Sequence, residues 1–339
     1  MKVYAGIDLH SNNSYIVLLT EEDKVIFQKR LPNDLDSILG VLKPHQNNIQ
    51  GVVIESTYNW FWLADGLIEN GFNVHLANPT AIQQYSGLKH TDDKTDARWL
   101  AKMLSLEILP EGYIFPKELR SVREQLRKRL WLVHKQTMFV LSLQSMITRY
   151  RGIRLGGEKI KKLNTEDLKR YFPEEPLYLA AYSQWAILGV MLNEILRLEQ
   201  SLLKQLKIDK RFNRIKSIPG IGEILGMTIL LESGPMDRFN DVGNYASYCR
   251  CVNSKRISNG KKKAENNRKN GNKYLAWAFI EAANFAIYRH SDITRYYQKK
   301  LGKTCRVVAL KTVANKLARA CFYVLKNAED FKMKKVFIS

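Results

Sequence analysis

The stretch Val3-Tyr-Ala-Gly-Ile-Asp-Leu9 decides the fold of this chain. Its run of mostly apolar residues predicts a buried β-strand, and residues 14–20 and 24–30 predict two more, with an acidic turn at 21–23. Asp8 lies inside the first strand, where a buried charge is costly unless something of opposite charge compensates it. The strand that begins the fold therefore also carries the first candidate site residue.

The residues that follow predict alternating helices and strands. Helices are expected at 34–42 and 60–70, and strands at 51–55 and 72–77. Three hairpin-like strands followed by this alternation indicate an α/β sheet. A further helix is expected to begin near Thr91, which can cap it, with acids in its first turn where the helix dipole favours them.

The rest of the chain is predicted to be mainly helical. Residues 117–150 contain no Gly or Pro and carry apolar side chains at three-to-four spacing, which predicts one long amphipathic helix. A second is expected at 177–207, so the two would form a helical hairpin or coiled-coil arm around a polar loop. Four shorter helices are expected at 223–232, 241–249, 273–289 and 304–327. These patterns predict an α/β domain over 1–110, a helical coiled-coil arm over 111–208, a mainly α domain over 209–330 and a tail over 331–339.

The charge of the chain is distributed unevenly. It has 54 Lys and Arg against 33 Asp and Glu, a net charge of +21, yet residues 1–100 alone carry −4. A sequence pI near 9.7 predicts an anionic partner, and nucleic acid is the leading candidate. A membrane surface is disfavoured because the basic residues are spread along the chain and not confined to one amphipathic helix.

The sequence also disfavours several other classes. No long uninterrupted apolar run is present, so no membrane-spanning helix is expected, and the acid at position 8 interrupts what a signal peptide would need. We therefore expect a cytoplasmic protein without membrane partners. The four cysteines form no CxxC pair, which predicts reduced thiols and no zinc site.

Four carboxylates in the acidic segment are candidate metal ligands. Asp8 and Glu55 end two predicted strands, and Asp93 and Asp96 share a helix face at i, i+3 spacing. A helix packed over the strand ends would bring all four together, and Mg²⁺ prefers such oxygen ligands. Asp92 is an alternative to Asp93, since its spacing to Asp96 is i, i+4. Ordinary surface or capping roles remain the competing interpretation.

Basic residues predict where a polyanion would bind. Residues 253–263, Asn-Ser-Lys-Arg-Ile-Ser-Asn-Gly-Lys-Lys-Lys, are predicted to be a flexible loop whose amides and lysines can cradle phosphate. Ser258 or Ser254 there could serve as a nucleophile, although a simple phosphate-contact loop is the alternative. Pro219-Gly-Ile-Gly222 is similar to a helix-hairpin-helix turn, which binds backbone phosphate, or is a tight turn between helices. The candidate nucleic-acid contacts are Arg120, Arg123, Arg127, Lys128, Lys255, Arg256, Lys261, Lys262, Lys263, Arg268 and Lys269.

Five motifs, in order, resemble one enzyme family. They are Gly-Ile-Asp8, Ile-Glu55-Ser-Thr, Lys-His-Thr-Asp-Asp93-Lys-Thr-Asp96-Ala-Arg-Trp-Leu-Ala, Ile-Pro-Gly-Ile-Gly222 and Ser258-Asn-Gly-Lys with its later Gly-Asn-Lys-Tyr-Leu. This combination is similar to the DEDD transposases of the insertion-sequence-110/1111 family, and closest to the 1111 branch. The likeness covers nearly the whole chain.

The resemblance implies a specific architecture and chemistry. It implies a RuvC-like (RNase H-fold) domain, a coiled-coil arm and a C-terminal transposase domain, with the acidic tetrad at Asp8, Glu55, Asp93 and Asp96. It places the nucleophilic serine at Ser258, because a Gly-Asn glycine follows 13 positions later at Gly271, a spacing that Ser254 lacks. Asn259 is a departure, since many relatives have Ser-Gly directly.

The resemblance also implies partners. Mg²⁺ held by the tetrad would polarise a scissile phosphate and the serine would form a transient link to DNA, in a homo-oligomer (dimer or tetramer) whose subunits share the site. A non-coding bridge RNA would choose donor and target DNA. Two other functions remain open from the residues: a junction-resolving nuclease that uses carboxylates and water, and a nucleic-acid-binding protein without catalysis.

Overall fold

The computed structural model describes residues 1–82, 92–206, 209–253, 255–265 and 270–337, with backbone alone at 206, 255, 256 and 262–265. Two compact units make up the chain, Met1–Lys117 and Glu118–Ser339. The first is a mixed α/β unit and the second is mostly helical. This confirms the predicted order of an α/β sheet followed by a helical region, while the RuvC-like and coiled-coil assignments stay predictions.

The first unit is built on a mixed six-stranded sheet of order β3-β2-β1-β4-β5-β6. β1 pairs antiparallel with β2 and parallel with β4, so it lies in the centre of the sheet. All of β1 except Tyr4 is buried, which explains its apolar sequence. The strands are β1 (Val3–Leu9), β2 (Asn13–Thr20), β3 (Val25–Pro32), β4 (Ile49–Glu55), β5 (Val74–Ala77) and β6 (Glu111–Gly112).

Three helices accompany this sheet: α1 (Leu35–Leu42), α2 (Phe61–Glu69) and α3 (Asp93–Ser105). Asp34 caps α1, because its carboxylate accepts a hydrogen bond from the Ser37 amide at 2.8 Å. Thr91, the expected cap of α3, lies outside the described residues. Asp92 caps that helix, and its carboxylate accepts from the Thr95 amide at 2.7 Å.

A glycine lets α3 lie directly against the central strand. A Cβ on Gly6 would stand 2.0 Å from the Ala97 carbonyl oxygen and 2.8 Å from the Ala101 amide nitrogen. Such distances are too short for any side chain, so only glycine at position 6 allows the helix backbone to lie this close to the strand. The contact fixes the position of the first turn of α3 relative to the end of β1.

The helical unit begins with two long helices, α4 (Lys117–Arg151) and α7 (Glu175–Leu206). The segment between them, predicted to be a polar loop, contains α5 (Gly157–Lys161) and α6 (Thr165–Tyr171). Apolar side chains of both short helices pack with Val140, Leu143 and Ile147 of α4. Within α7, Glu175–Gln205 is long and apolar enough to cross a membrane by length and composition alone, but a single helix of this kind is weak evidence for a membrane span.

The remaining helices enclose a second core. The 225–233 segment is buried on every side, which explains why that stretch of sequence shows no amphipathic pattern. Tyr245 and Phe279 are fully buried beside it. The helices are α8 (Lys210–Lys216), α9 (Glu223–Ser233), α10 (Val242–Tyr248), α11 (Lys273–Arg289), α12 (Ser291–Leu301), α13 (Arg306–Lys326) and α14 (Met333–Val336).

The basic segment before α11 differs from its prediction as a flexible loop. The backbone forms an antiparallel hairpin of β7 (Lys255–Ser258) and β8 (Lys261–Glu265). Asn259 and Gly260, the two residues of its turn, have φ of 48° and 69°. Positive φ at both positions is the type I′ turn for which Asn-Gly is the favoured sequence, so the hairpin follows from local turn chemistry.

Candidate active site

Asp8 and Glu55 lie side by side at the carboxyl ends of two parallel strands. The register of β1 against β4 pairs Ile7 with Ile54, so the next residue of each strand is a carboxylate. Adjacent positions on paired strands point to the same face, and the two side chains share a hydrogen bond. The structure therefore brings these two acids together at one edge of the sheet, as the sequence predicted.

Burial and mutual repulsion make both groups hard to ionise. Desolvation, followed by the charges of Asp93 and Asp96, raises the pKa of Asp8 to about 6, although His10 opposes the rise. Desolvation and then the charge of Asp8 raise the pKa of Glu55 to about 7. The two raised pKa values belong to an interacting pair, and a bound cation would favour the ionised form of both groups.

The first turn of α3 adds two further acids. Asp93 and Asp96 lie in that turn, and the pKa of Asp96 is raised by desolvation and by the charges of Asp93 and Asp92. Asp96 Oδ1 is buried and has no hydrogen-bond partner among the described residues. Asp92 is occupied as the helix cap and is exposed, so the structure brings Asp93 and not Asp92 to the other carboxylates.

His10 and Arg30 complete the cluster, and sequence reasoning missed both. His10 Nε2 lies 3.1 Å from Asp8 Oδ2 and 3.2 Å from Asp93 Oδ1. Arg30 pairs with the other oxygen of Asp93. His10 follows Asp8 at i+2, a spacing that puts both on one side of an extended strand and could have identified it. Arg30 lacks such a signal, because it reaches the site through two strand pairings, Asp8 with Tyr15 and Tyr15 with Arg30.

The donor set fits a divalent cation. Asp8, His10 and Asp93 each offer one ligand atom, and these atoms lie within 4.8 Å of one another. The unpartnered oxygen of Asp96 and the raised pKa of Glu55 indicate that the group lacks positive charge. Carboxylate oxygens are the ligands that Mg²⁺ and Mn²⁺ prefer, so these residues are suited to hold such an ion.

Ser258 lies in the helical unit, at the tip of the hairpin. It is the last residue of β7, it is exposed, and it pairs directly with Lys261 across the turn. Side chains of directly paired residues lie on the same face of a hairpin, so the Lys261 and Ser258 side chains share one face. Ser254 lies outside the described residues.

The other basic residues of this segment are described only in part. Lys255, Arg256, Lys262 and Lys263 belong to the two hairpin strands by their backbone. Arg268 and Lys269 lie outside the described residues. Contacts of these six residues with nucleic acid therefore stay predictions.

Of the four basic residues of α4 predicted to contact nucleic acid, two are buried and a third binds an internal carboxylate. Arg120 and Arg123 are buried, at 7% and 8% exposure. Arg123 contacts Glu232 at 3.0 Å, and Arg127 binds the same carboxylate through two hydrogen bonds of 2.6 and 2.8 Å. Burial of Arg120 and Arg123 contradicts their prediction as nucleic-acid contacts, and the Arg127 guanidinium is engaged by an internal carboxylate. Lys128 is exposed and stays a candidate contact.

Glu232 binds Arg123, Arg127 and Asn272 inside the helical unit. Burial alone would raise the pKa of Glu232, but the hydrogen bond and charge of Arg127, the charge of Arg123 and the Asn272 amide hold it below its usual value. Asn272 Nδ2 donates to Glu232 at 2.7 Å, while its Oδ1 caps α11 by accepting from the Tyr274 and Leu275 amides. Asn272 thereby anchors the chain where it returns from the serine hairpin.

The turn at Pro219-Gly-Ile-Gly222 packs against α11. Gly220 has a φ of 80°, and a Cβ there would stand 2.1 Å from the Ala282 carbonyl oxygen. This favours the alternative of a tight turn between packed helices. Its predicted contact with phosphate is untested, although a groove of about 520 Å³ beside the turn is lined by Lys216 and Arg289.

Comparisons with known proteins agree with this arrangement. A family model described as "Transposase", of the DEDD type of insertion sequence 110, matches residues 5–151, which include all four carboxylates. A second, described as "Transposase IS116/IS110/IS902 family", matches residues 212–298, which include Ser258 and Asn272. A sheet that carries an acidic tetrad, together with these matches, defines a DNA transposase.

Full-length relatives give the particular family. The chain is 22% identical to the transposase for insertion sequence element IS1111A of Coxiella burnetii, over 96% of this chain and 90% of the relative. It is 22% identical to the transposase for insertion sequence element IS1328 of Yersinia enterocolitica, over 96% and 97%. A probable family 20 transposase of Pseudomonas aeruginosa is 24% identical over 83% and 85%. This chain belongs to the IS110/IS1111 family of insertion-sequence transposases.

Proposed function

We propose that this transposase is an RNA-guided DNA recombinase that exchanges strands through a covalent link between Ser258 and DNA, with a divalent cation, Mg²⁺, held by Asp8, Glu55, Asp93 and Asp96. One observation carries the metal half of the proposal. It is the meeting of four carboxylates at the end of β1 with too little positive charge among them, which leaves an oxygen of Asp96 without a partner.

The carboxylates and His10 would prepare the site for phosphate. A bound Mg²⁺ ion would supply the positive charge that polarises the scissile phosphate. His10 and Arg30 orient Asp93 from opposite sides, so its carboxylate is held before any ligand arrives. Asp8 and Glu55, whose pKa values are raised by burial, would hold the cation in their ionised form.

Ser258 would supply the attacking oxygen. Its Oγ loses a proton and forms a bond to phosphorus, while the bond from phosphorus to a deoxyribose oxygen breaks and that oxygen gains a proton. The hydroxyl of another strand then displaces the serine in the reverse manner, so the number of phosphodiester bonds is conserved. Exposure at a hairpin tip and the neighbouring Lys261 support this role.

Guide RNA and a homo-oligomer belong to the same proposal. The net charge of +21 favours binding of polyanions, and DNA and a non-coding RNA are both of that kind. The resemblance to the 1111 branch implies that subunits share carboxylates and serine, which a dimer or tetramer would provide.

Trapping the protein–DNA adduct tests the proposal. The full chain is incubated with labelled donor and target DNA, the candidate RNA and Mg²⁺, and the modified residue is identified by mass spectrometry. We expect an adduct on Ser258 that Ser258→Ala abolishes and the matched control Ser254→Ala retains. An adduct that persists in Ser258→Ala contradicts the proposal.

A metal-dependent nuclease is the alternative that the structure also supports. The four carboxylates and His10 all lie within the first unit, so a cation held there could activate a water molecule without the serine. Ser258→Ala separates the two functions, because a nuclease would still cut DNA and a serine recombinase would not.

A further inference from the structure

A cavity in the helical unit lies apart from the serine hairpin. It has a volume of about 430 Å³ and is formed by α13, α14 and the segment between them. Cavities of this size receive small molecules or single groups of larger ligands. Lys316, Arg319, Tyr323 and Asn327 line one wall, and Phe331 and Lys335 line the other.

The lining is positively charged. It contains Lys316, Arg319, Lys332 and Lys335 against Glu329 and Asp330, and Lys332 is paired with Glu329 at 3.0 Å. Burial, Lys300 and Arg319 together lower the pKa of Lys316, which shows that cations repel one another at this point. An anionic ligand would relieve that repulsion.

The wall of the cavity is held in place by specific contacts. Lys316 Nζ donates to the Val336 carbonyl and lies over the rings of Tyr296 and Phe337, at 4.9 and 5.5 Å from their centroids. The Phe331 amide donates to Ser217 Oγ at 2.9 Å. These contacts hold Phe331 and Val336, on either side of Lys332 and Lys335, against other parts of the helical unit.

The helix face that lines the cavity carries a cation beside an aromatic ring. Arg319 and Tyr323 are spaced i, i+4, so they are neighbours on one face of α13, and Asn327 follows at the next turn. Tyr323 is 50% exposed, and its ring forms an edge contact with Phe322. The Arg319 guanidinium suits a phosphate, the half-exposed Tyr323 ring suits the face of a base, and the Asn327 amide suits the edge of a base.

We propose that this cavity binds one nucleotide of a single-stranded nucleic acid, with the base on Tyr323 and the phosphate between Arg319 and Lys335. The inference rests on the proposed function to the extent that the protein handles nucleic acid, but it uses none of the carboxylates or the serine. Duplex backbone would engage the cations alone, because its stacked bases cannot reach the ring.

Oligonucleotide binding by the full chain tests the proposal. Fluorescence anisotropy would measure the affinity for labelled oligouridine, oligothymidine and a duplex at one fixed salt concentration. We expect Tyr323→Ala to weaken single-strand binding by about 5-fold to 150-fold, the range that stacking of one base gives, and Tyr323→Phe to retain it. Duplex binding should change less than about twofold.

Matched controls exist in the same unit. Tyr288→Ala removes another tyrosine, 84% exposed on α11, and Lys334→Ala removes the cation next to Lys335. Neither residue lines the cavity. Both variants should bind as the wild type does, whereas Arg319→Ala with Lys335→Ala should weaken single-strand binding and reduce its salt dependence.

The outcomes of this experiment distinguish binding of RNA from binding of single-stranded DNA, and both from failure of the proposal. Loss of oligouridine binding alone assigns the cavity to RNA, and equal loss of both strands assigns it to either unpaired strand. Unchanged single-strand binding in Tyr323→Ala, equal loss in Tyr288→Ala, or an acidic peptide that competes as well as the oligonucleotide overturns the proposal. Ser258→Ala should bind single strands normally, so failure of the serine chemistry leaves this result readable.

Discussion

Replacing Asp8 by Asn should stabilise the metal-free protein while it destroys the site. The pKa of Asp8 rises from 3.8 to about 6 in the folded state, chiefly by desolvation. Each pKa unit corresponds to about 1.4 kcal/mol, so an ionised Asp8 costs the folded state about 3 kcal/mol. Asn has nearly the same shape and no charge, and its amide can donate to Glu55.

The pH dependence follows from the sign of the shift. The folded state binds the Asp8 proton more tightly than the unfolded state does, so stability falls as pH rises from about 4 to about 6 and stays low above that. The advantage of Asp8→Asn in EDTA should therefore be about 2–3 kcal/mol at pH 8 and about half of that at pH 5.

Hydrogen exchange of the β1 and β4 amides would measure this change within the first unit, independently of the helical unit. Asp36→Asn is the matched control, since Asp36 is an exposed acid in α1 and its replacement should change stability by less than about 0.5 kcal/mol. If Asp8→Asn protects β1 no better than the wild type at pH 8, the carboxylate cluster is not short of positive charge.

Three further results are expected. Mg²⁺ or Mn²⁺ should raise the melting temperature at pH 8 and much less at pH 5.5, because Asp8 and Glu55, with pKa values near 6 and 7, are mostly protonated at pH 5.5. An equal rise at both pH values would mean that the ion binds elsewhere. Gly6→Ala should lower the free energy of unfolding by about 1–3 kcal/mol and make the α3 amides exchange faster, since the added methyl meets the Ala97 carbonyl. Normal protection of α3 from hydrogen exchange would contradict the packing. Asn272→Ala should lower the free energy of unfolding in urea by about 2–4 kcal/mol, because a helix cap and a hydrogen bond to buried Glu232 are both lost. A change near zero would mean that Asn272 does not anchor this part of the chain.

Local patterns predicted most of the secondary structure. The β1 strand was predicted at its observed bounds, and α11 likewise, because a buried apolar run and a capped helix are determined by neighbouring residues. The hairpin at Ser258 was missed although its Asn-Gly turn is a strong local signal, because the surrounding lysines suggested a solvated loop.

Residues brought together from distant positions were harder to predict. The meeting of Asp8 and Glu55 was predicted because each ends a strand of the same sheet, but Arg30 joins the cluster only through the strand order. Arg123 and Arg127 were predicted to contact nucleic acid because Glu232, the acid that they bind, lies more than 100 positions away in the sequence. Charge alone does not distinguish a buried pair from a solvated face.

The contact of α3 with Gly6 has a consequence for how this enzyme tolerates sequence drift. The distance between the two halves of the acidic tetrad is determined by backbone touching backbone, with no side chain in between. Substitutions in the surrounding core can therefore change the stability of the first unit without moving Asp93 and Asp96 relative to Asp8. Position 6 is one at which even a single added methyl group would push the helix that carries Asp93 and Asp96 away from the strand that carries Asp8.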